Sequence, residues 1–294
     1  MDARSILQLP IAHRRTFIAF LIALCAVIVL CDIFLFPPDS RLSGYAQALA
    51  SAVIVSLIMY WIVISFIPSQ QNTQTLQQVE PKDITAEFEA LLSEATRWRY
   101  TGNFGRYLRG KVLPTLAIKP NMQISVSIID PQDELLCNSH AEYRNKINSI
   151  DKGRHFDATI VALEVIVTII HCAWYVTNKN VSIELFLLSM FDPLRIDSSD
   201  SAMILTVEDR RRPALKITNE HFMYNHFDLQ MRFERQQGRE LPLQKFSHCT
   251  SISAITEADV REFLTSINMQ DLCEKLTPGK IAEACREVRN PYED

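Results

Sequence analysis

Two long apolar stretches open the chain, and a mixed pattern of strand and helix follows them. Thr16 to Phe36 reads TFIAFLIALCAVIVLCDIFLF with one charge, Asp32; Tyr45 to Ile67 reads YAQALASAVIVSLIMYWIVISFI with none. A helix needs roughly 20 apolar residues to cross a hydrocarbon core of about 30 Å, and both stretches meet that length. Pro37, Pro38, Asp39 and Ser40 break the pattern between them, as a tight turn does. The expectation is a transmembrane hairpin over residues 1–68, with spans near 16–36 and 45–67. A cleaved signal peptide would have a shorter apolar core ending in small residues. Arg4, Arg14 and Arg15 precede the first span, while the short loop carries Arg41 beside Asp39. The positive-inside rule then puts the N-terminus in the cytoplasm, and two spans return the remaining chain to that side.

Residues 69–82 contain SQQNTQTLQQVE, polar and Gln-rich with no apolar face, and read as a linker or an extension of the second span. From 83 to 294 the pattern predicts an α/β domain with a mostly parallel sheet flanked by helices. Ile84, Phe88, Leu91, Leu92 and Ala95 recur at helical steps, with Asp83 as a candidate cap and an end near Tyr100 to Gly102. A second helix is expected from Asn103 to Leu116. ISVSII at 124–129 is a strand that stops at Asp130-Pro131, followed by a helix near Glu134 to Ile150. Ala158 to Tyr175 is strongly apolar but holds Glu164 and His171, so it reads as a buried core helix, not a third span. VSIELFLL (181–188) and AMILTV (202–207) are strands, and Pro213 to Ile217 is a short fourth. Asn219 is expected to cap a long helix to Gly238, and two helices close the chain near Glu257 to Ile267 and Pro278 to Val288. Strands alternating with helices argue for helices on both faces of one sheet.

Composition narrows this picture slightly. The 294 residues are 48% hydrophobic and 22% charged, with a formal net charge of −4, so no global basic field points to nucleic acid. The seven cysteines form no CxxC pair and have no zinc spacing, which suits a reducing compartment. No P-loop, GxGxxG, GxSxG or HExxH occurs. No catalytic residue, metal or cofactor is therefore expected.

Candidate chemistry rests on four features. Arg97, Arg99, Arg106, Arg109 and Lys111 interleave with Trp98, Tyr100, Phe104 and Tyr107, a mixture that suits phosphate contacts and stacking, a protein partner, anionic headgroups, or a solvated helix face. Asp130 ends the first predicted strand, where ligands of open sheets gather, and Tyr143 and Arg144 follow on the next helix; Asp130 equally suits a turn before proline. Asp192, Arg195 and Asp197 follow the second predicted strand, and Glu208 to Arg212, with Arg210 among them, follow the third. Both groups belong at one sheet edge, as a polar pocket or as solvated loops. Asp32 either reaches headgroups from the end of its span or faces other hairpins in an oligomer. The small residues Gly44, Ala46, Ala48, Ala50, Ser51 and Ala52 permit close helix approach and self-association.

The runs SEATRWRYTGNFGRYLRGKVLPTLA, SVSIIDPQDELLCNSHAEYRN and MILTVEDRRRPALKITNEHF resemble membrane effectors of bacterial retron anti-phage systems. The resemblance implies a two-span effector of the bacterial inner membrane, held inactive by a reverse transcriptase and its RNA-linked multicopy single-stranded DNA. On activation it would disrupt the membrane and end the infection with the cell. It offers no active-site residues to carry over; the 97–111 region becomes the candidate contact for reverse transcriptase or nucleic acid. Two other classes stay open: a membrane-tethered nucleotide or nucleic-acid sensor, and a membrane-anchored enzyme of unfamiliar type.

Overall fold

The computed structural model describes residues 22–23, 26–31, 33–34, 41–66, 75–147, 153, 155–179, 181–209, 211–243, 246 and 249–287, with the backbone alone at 41–43, 46 and 60–66. The chain divides into two compact units, 1–73 and 74–294. The first unit contains helix α1, Arg41–Phe66, preceded by helical residues 26–31. At 26 residues and 1.5 Å per residue α1 is about 39 Å long. Ser51 and Ser56 donate their hydroxyls back to the carbonyls of Gln47 and Ala52, so neither needs an outside partner. Tyr45, Leu49, Ile54, Val55, Ile58 and Met59 are all exposed, as are Val27, Leu30, Ile33 and Phe34 before them. The first expected span, with Asp32, and the residues 35–40 and 67–74 lie partly or wholly outside the described residues.

The second unit is built on one eight-stranded sheet in the order β1-β7-β6-β5-β2-β3-β4-β8. The strands are β1 Leu76–Val79, β2 Arg97–Thr101, β3 Met122–Ile129, β4 Val181–Leu188, β5 Leu194–Ser198, β6 Ala202–Val207, β7 Ala214–Thr218 and β8 Arg239–Leu241. Only β2, β3 and β4 run parallel; every other pairing is antiparallel. The expected mostly parallel sheet is thus corrected to a mixed one. The reason is the length of the connections. Helices separate β2, β3 and β4 and give the chain room to cross over. The link from β5 to β6 is three residues, which permits only a hairpin.

Helix α2, Ile84–Glu94, ends well before the expected Tyr100. The residues RWRYT that follow form β2 at the centre of the sheet. Trp98 and Tyr100 are two apart, so a strand buries both on one face while a helix would turn them to opposite sides. After β2 the chain passes through a π-helical turn, Leu108–Val112, into α3, Leu113–Leu116. Helix α4, Glu134–Lys146, starts where the Asp133 carboxylate accepts from Leu136 N. Helix α5, Ala158–Asn178, starts the same way at Asp157. The remaining helices are α6 Phe222–Gln237, α7 Glu257–Ser266, α8 Leu272–Lys275 and α9 Pro278–Arg286. His221, not the expected Asn219, caps α6, accepting from Met223 N; Asn219 Nδ2 donates instead to the Asp200 carbonyl. Asp83 holds the cap position of α2 without a side-chain bond.

The main core lies between one sheet face and α2, α5 and the C-terminal helices. A smaller core of Ile196, Met203, Leu205, Ile217, Tyr224 and Met231 lies under α6 on the other face. Among the described residues α5 is the one helix both long and apolar enough to cross a membrane, and 72% of its apolar window is buried inside the domain, as a core helix requires. In α1 the described apolar stretch is the shorter Gln47–Met59. His171 of α5 is a core histidine: burial lowers its pKa to about 3, and Nε2 lies 3.1 Å from the Cys285 carbonyl. The expected polar linker at 69–82 contains β1, which pairs with β7 at the sheet edge.

Candidate functional site

A cleft forms where β2 and β6 end on the same side of the sheet. β2 runs antiparallel to β5, and β5 antiparallel to β6, so the carboxyl ends of β2, β3, β4 and β6 share one edge. Beyond Thr101 the chain turns through Gly102 to Gly105. Gly102 N donates to the Ser127 carbonyl and Gly105 N to Tyr100 Oη, both within 3.1 Å. Gly105 has φ +68°, and a Cβ there would meet Thr168 Cγ2 at 2.6 Å, so only glycine fits. The turn presents Asn103, Phe104 and Arg106 over the sheet edge. Asn103 Nδ2 donates to the Asp192 carbonyl (3.0 Å) and to Glu208 Oε1 (3.1 Å), joining the loops after β2, β4 and β6.

The cleft is open to solvent, with a cavity volume of about 70 Å³. Arg106, Arg144, Arg195 and Arg212 line it, with Tyr100, Asn103, Phe104 and Glu208. Acids and rings hold these arginines. Arg144 Nη1 donates to Glu208 Oε2 at 2.7 Å, and its guanidinium lies 4.9 Å from the Phe156 ring centre and 5.2 Å from that of Phe104. Arg195 Nε donates to Asp197 Oδ2 at 2.7 Å and lies over the rings of Phe88 and Tyr107. Arg106 and Arg109 both bind the Glu164 carboxylate of α5. Burial alone would raise the Glu164 pKa, but Arg109 and Arg106 outweigh it and hold it at about 2. Burial likewise opposes ionisation of Glu208, and its hydrogen bonds with His140 and Arg144 hold it at about 2. The fixed charges around the cleft, Arg211, Arg212 and Asp209 included, are six guanidiniums against four carboxylates. The cleft therefore carries an excess of positive charge, which suits an anion.

The structure separates the arginines of 97–111. Arg97 pairs with Asp200 at the opposite end of β2. Arg99 is buried under α6, bound to Asp228, Tyr224, Ser198 and the Ser199 carbonyl. Lys111 pairs with Glu89 at the surface. Arg109 is only 8% exposed and also donates to the Phe104 and Glu164 carbonyls and Thr168 Oγ1. Tyr107 is buried against Phe88. Of this group Tyr100, Phe104, Arg106 and Tyr107 line the cleft, so Arg106 is the cation that the group contributes to it. Asp130 lies at the carboxyl end of β3 as expected, but turns away: it accepts from Gln132 N and from Arg239. Tyr143 packs on His140 and Phe191 beside the cleft. The Asp192 carboxylate accepts from Leu194 N. Arg144 and Arg195 line the cleft; Arg210 and Asp32 lie outside the described residues.

Glu164 and Asn103 organise the site, and the sequence pattern marks neither as a site residue. The available signal for Glu164 is a carboxylate within an otherwise apolar helix, which demands buried cationic partners. Asn103 has no such signal. Among the described residues no group of three or more His, Cys, Asp or Glu is placed to hold a metal ion.

No family model and no curated protein matches this chain. Among solved structures, that of TrmBL2, an archaeal chromatin protein described as showing a novel mode of DNA binding, is similar at 12% identity with a TM-score of 0.32. The alignment covers 67% of this chain and 65% of that one, so it spans less than two thirds of that protein. At that score the likeness carries no weight for fold or function.

Proposed function

We propose that the protein is a membrane-disrupting effector of a retron anti-phage system, anchored by an N-terminal hairpin of which α1 is the second span. A reverse transcriptase with its RNA-linked single-stranded DNA restrains it, and its release leads to death of the infected cell. The observation that carries the membrane part is α1: about 39 Å of helix, with large apolar side chains exposed between Tyr45 and Met59. A helix apolar all round belongs in a core or a bilayer, and the described residues of the first unit offer these side chains no core. The resemblance stated for 93–117, 125–145 and 203–222 supports the retron part. The test is membrane potential and dye uptake in cells expressing the chain with and without its candidate partner genes. Rapid depolarisation that the partners suppress is the expected result. Cells that die with intact membranes would overturn the reading and move the lesion to a cytoplasmic target.

A second reading, a membrane-tethered ligand sensor, is favoured by the arginine-lined cleft. In that reading the α/β domain receives the signal and the anchor delivers it.

A further inference from the structure

We infer that the cleft is a binding site for a phosphoryl anion that also brings a hydrogen-bond donor, the chemistry of a nucleotide or of a phosphorylated strand end. This rests on the sensor reading, not on the membrane lesion. Three independent observations carry it.

The first is charge. Two guanidiniums share Glu164 and two more flank Asp209, so positive charge exceeds negative at the rim and at the floor. Arginine forks match phosphate oxygens in pairs, and a partly buried setting strengthens such contacts. The second is rigidity. Arg106 and Arg144 lie over Phe104 and Phe156, and Arg195 over Phe88 and Tyr107, which fixes the cationic planes before any ligand arrives. Little ordering remains to oppose binding. The third is Asn103. It is 4% exposed and lines the cleft; its Nδ2 has two partners, while its Oδ1 has none. A buried acceptor of this kind costs free energy until a donor reaches it, and a ligand hydroxyl or amino group supplies one.

Arg212 is the residue on which to test this. Its side chain is 72% exposed, so Arg212→Glu removes cleft charge without disturbing the core. Arg261 on α7 is also exposed and does not line the cleft, so Arg261→Glu is the matched control. The full chain in nanodiscs would be titrated with ATP and, separately, with a 5′-phosphorylated single-stranded DNA oligonucleotide. The expected result is saturable binding of one probe, weakened tenfold or more by Arg212→Glu and unchanged by Arg261→Glu. Preference for ATP assigns a free nucleotide; preference for the oligonucleotide assigns a strand end. Binding of neither probe overturns the inference, as does binding that Arg212→Glu leaves unaltered or that both variants weaken equally. Flotation of the same protein with native lipid reads the anchor by itself, so failure of the cleft and failure of the membrane reading remain distinct.

Discussion

Glu164 is a buried carboxylate with two cationic partners. It stands on the buried helix α5, yet it stays ionised because two guanidiniums, Arg106 and Arg109, close on it. Replacing it with glutamine keeps its shape and removes the charge both arginines share. Breaking one side of a buried ion pair costs about 3–5 kcal/mol, so Glu164→Gln should lower the urea midpoint of the detergent-solubilised chain by that equivalent; an unchanged midpoint would refute a structural role for the pair. The same residue sets an acid limit. Glu164 and Glu208 are held at about 2 against an ordinary 4.5, so between those values the unfolded chain takes up protons that the folded chain refuses. Their contribution is full above about pH 4.5 and is lost as the pH falls toward 2; each tenfold difference in proton affinity between the two states is worth about 1.4 kcal/mol. Urea midpoints measured from pH 6 down to pH 2.5 should fall steeply, and the Glu208→Gln variant should show a shallower fall.

At the scale of elements, helix starts are governed by single side chains. Asp157 accepts from Ile160 N at 2.8 Å and opens α5. Asp157→Ala should cost about 1 kcal/mol, read as a lower thermal midpoint, with Asp157→Asn recovering most of it. The regular elements are legible where pattern and burial agree. β4 and β6 have the bounds their apolar runs predict, and α5 reads as a core helix because of Glu164 and His171. The elements that escape are those whose local pattern contradicts their place. β5 reads LRIDS, charged enough for a loop, because Arg195 and Asp197 satisfy each other inside the fold. β1 reads LQQV inside a polar tract, because an edge strand needs little apolar surface. β2 reads as the end of a helix because no glycine or proline separates Arg97–Thr101 from α2. The site is half legible for a related reason. Arg144 and Arg195 are visible as charged residues near strand ends, but a buried amide such as Asn103 announces nothing until three loops meet at it.

For the whole molecule, the proposed anchor and the α/β domain make separable contributions. Exchanging residues 16–67 for an unrelated two-span anchor should keep the chain in the membrane fraction and abolish depolarisation. Retained depolarisation would assign the lesion to the domain and overturn a membrane-disrupting role for the hairpin. The sheet also carries a constraint of time. β1 belongs to the beginning of the domain, yet its partner is β7, so Val79 meets Ala214 and Leu76 meets Ile217 only late in the chain. At a synthesis rate of about 5–20 residues per second, the first strand emerges from the ribosome on the order of ten seconds before its neighbour exists. During that interval its backbone hydrogen-bonding groups are open to any other nascent strand. A ribosome that stalls before β7 therefore releases a chain whose β1 still lacks the one strand it pairs with.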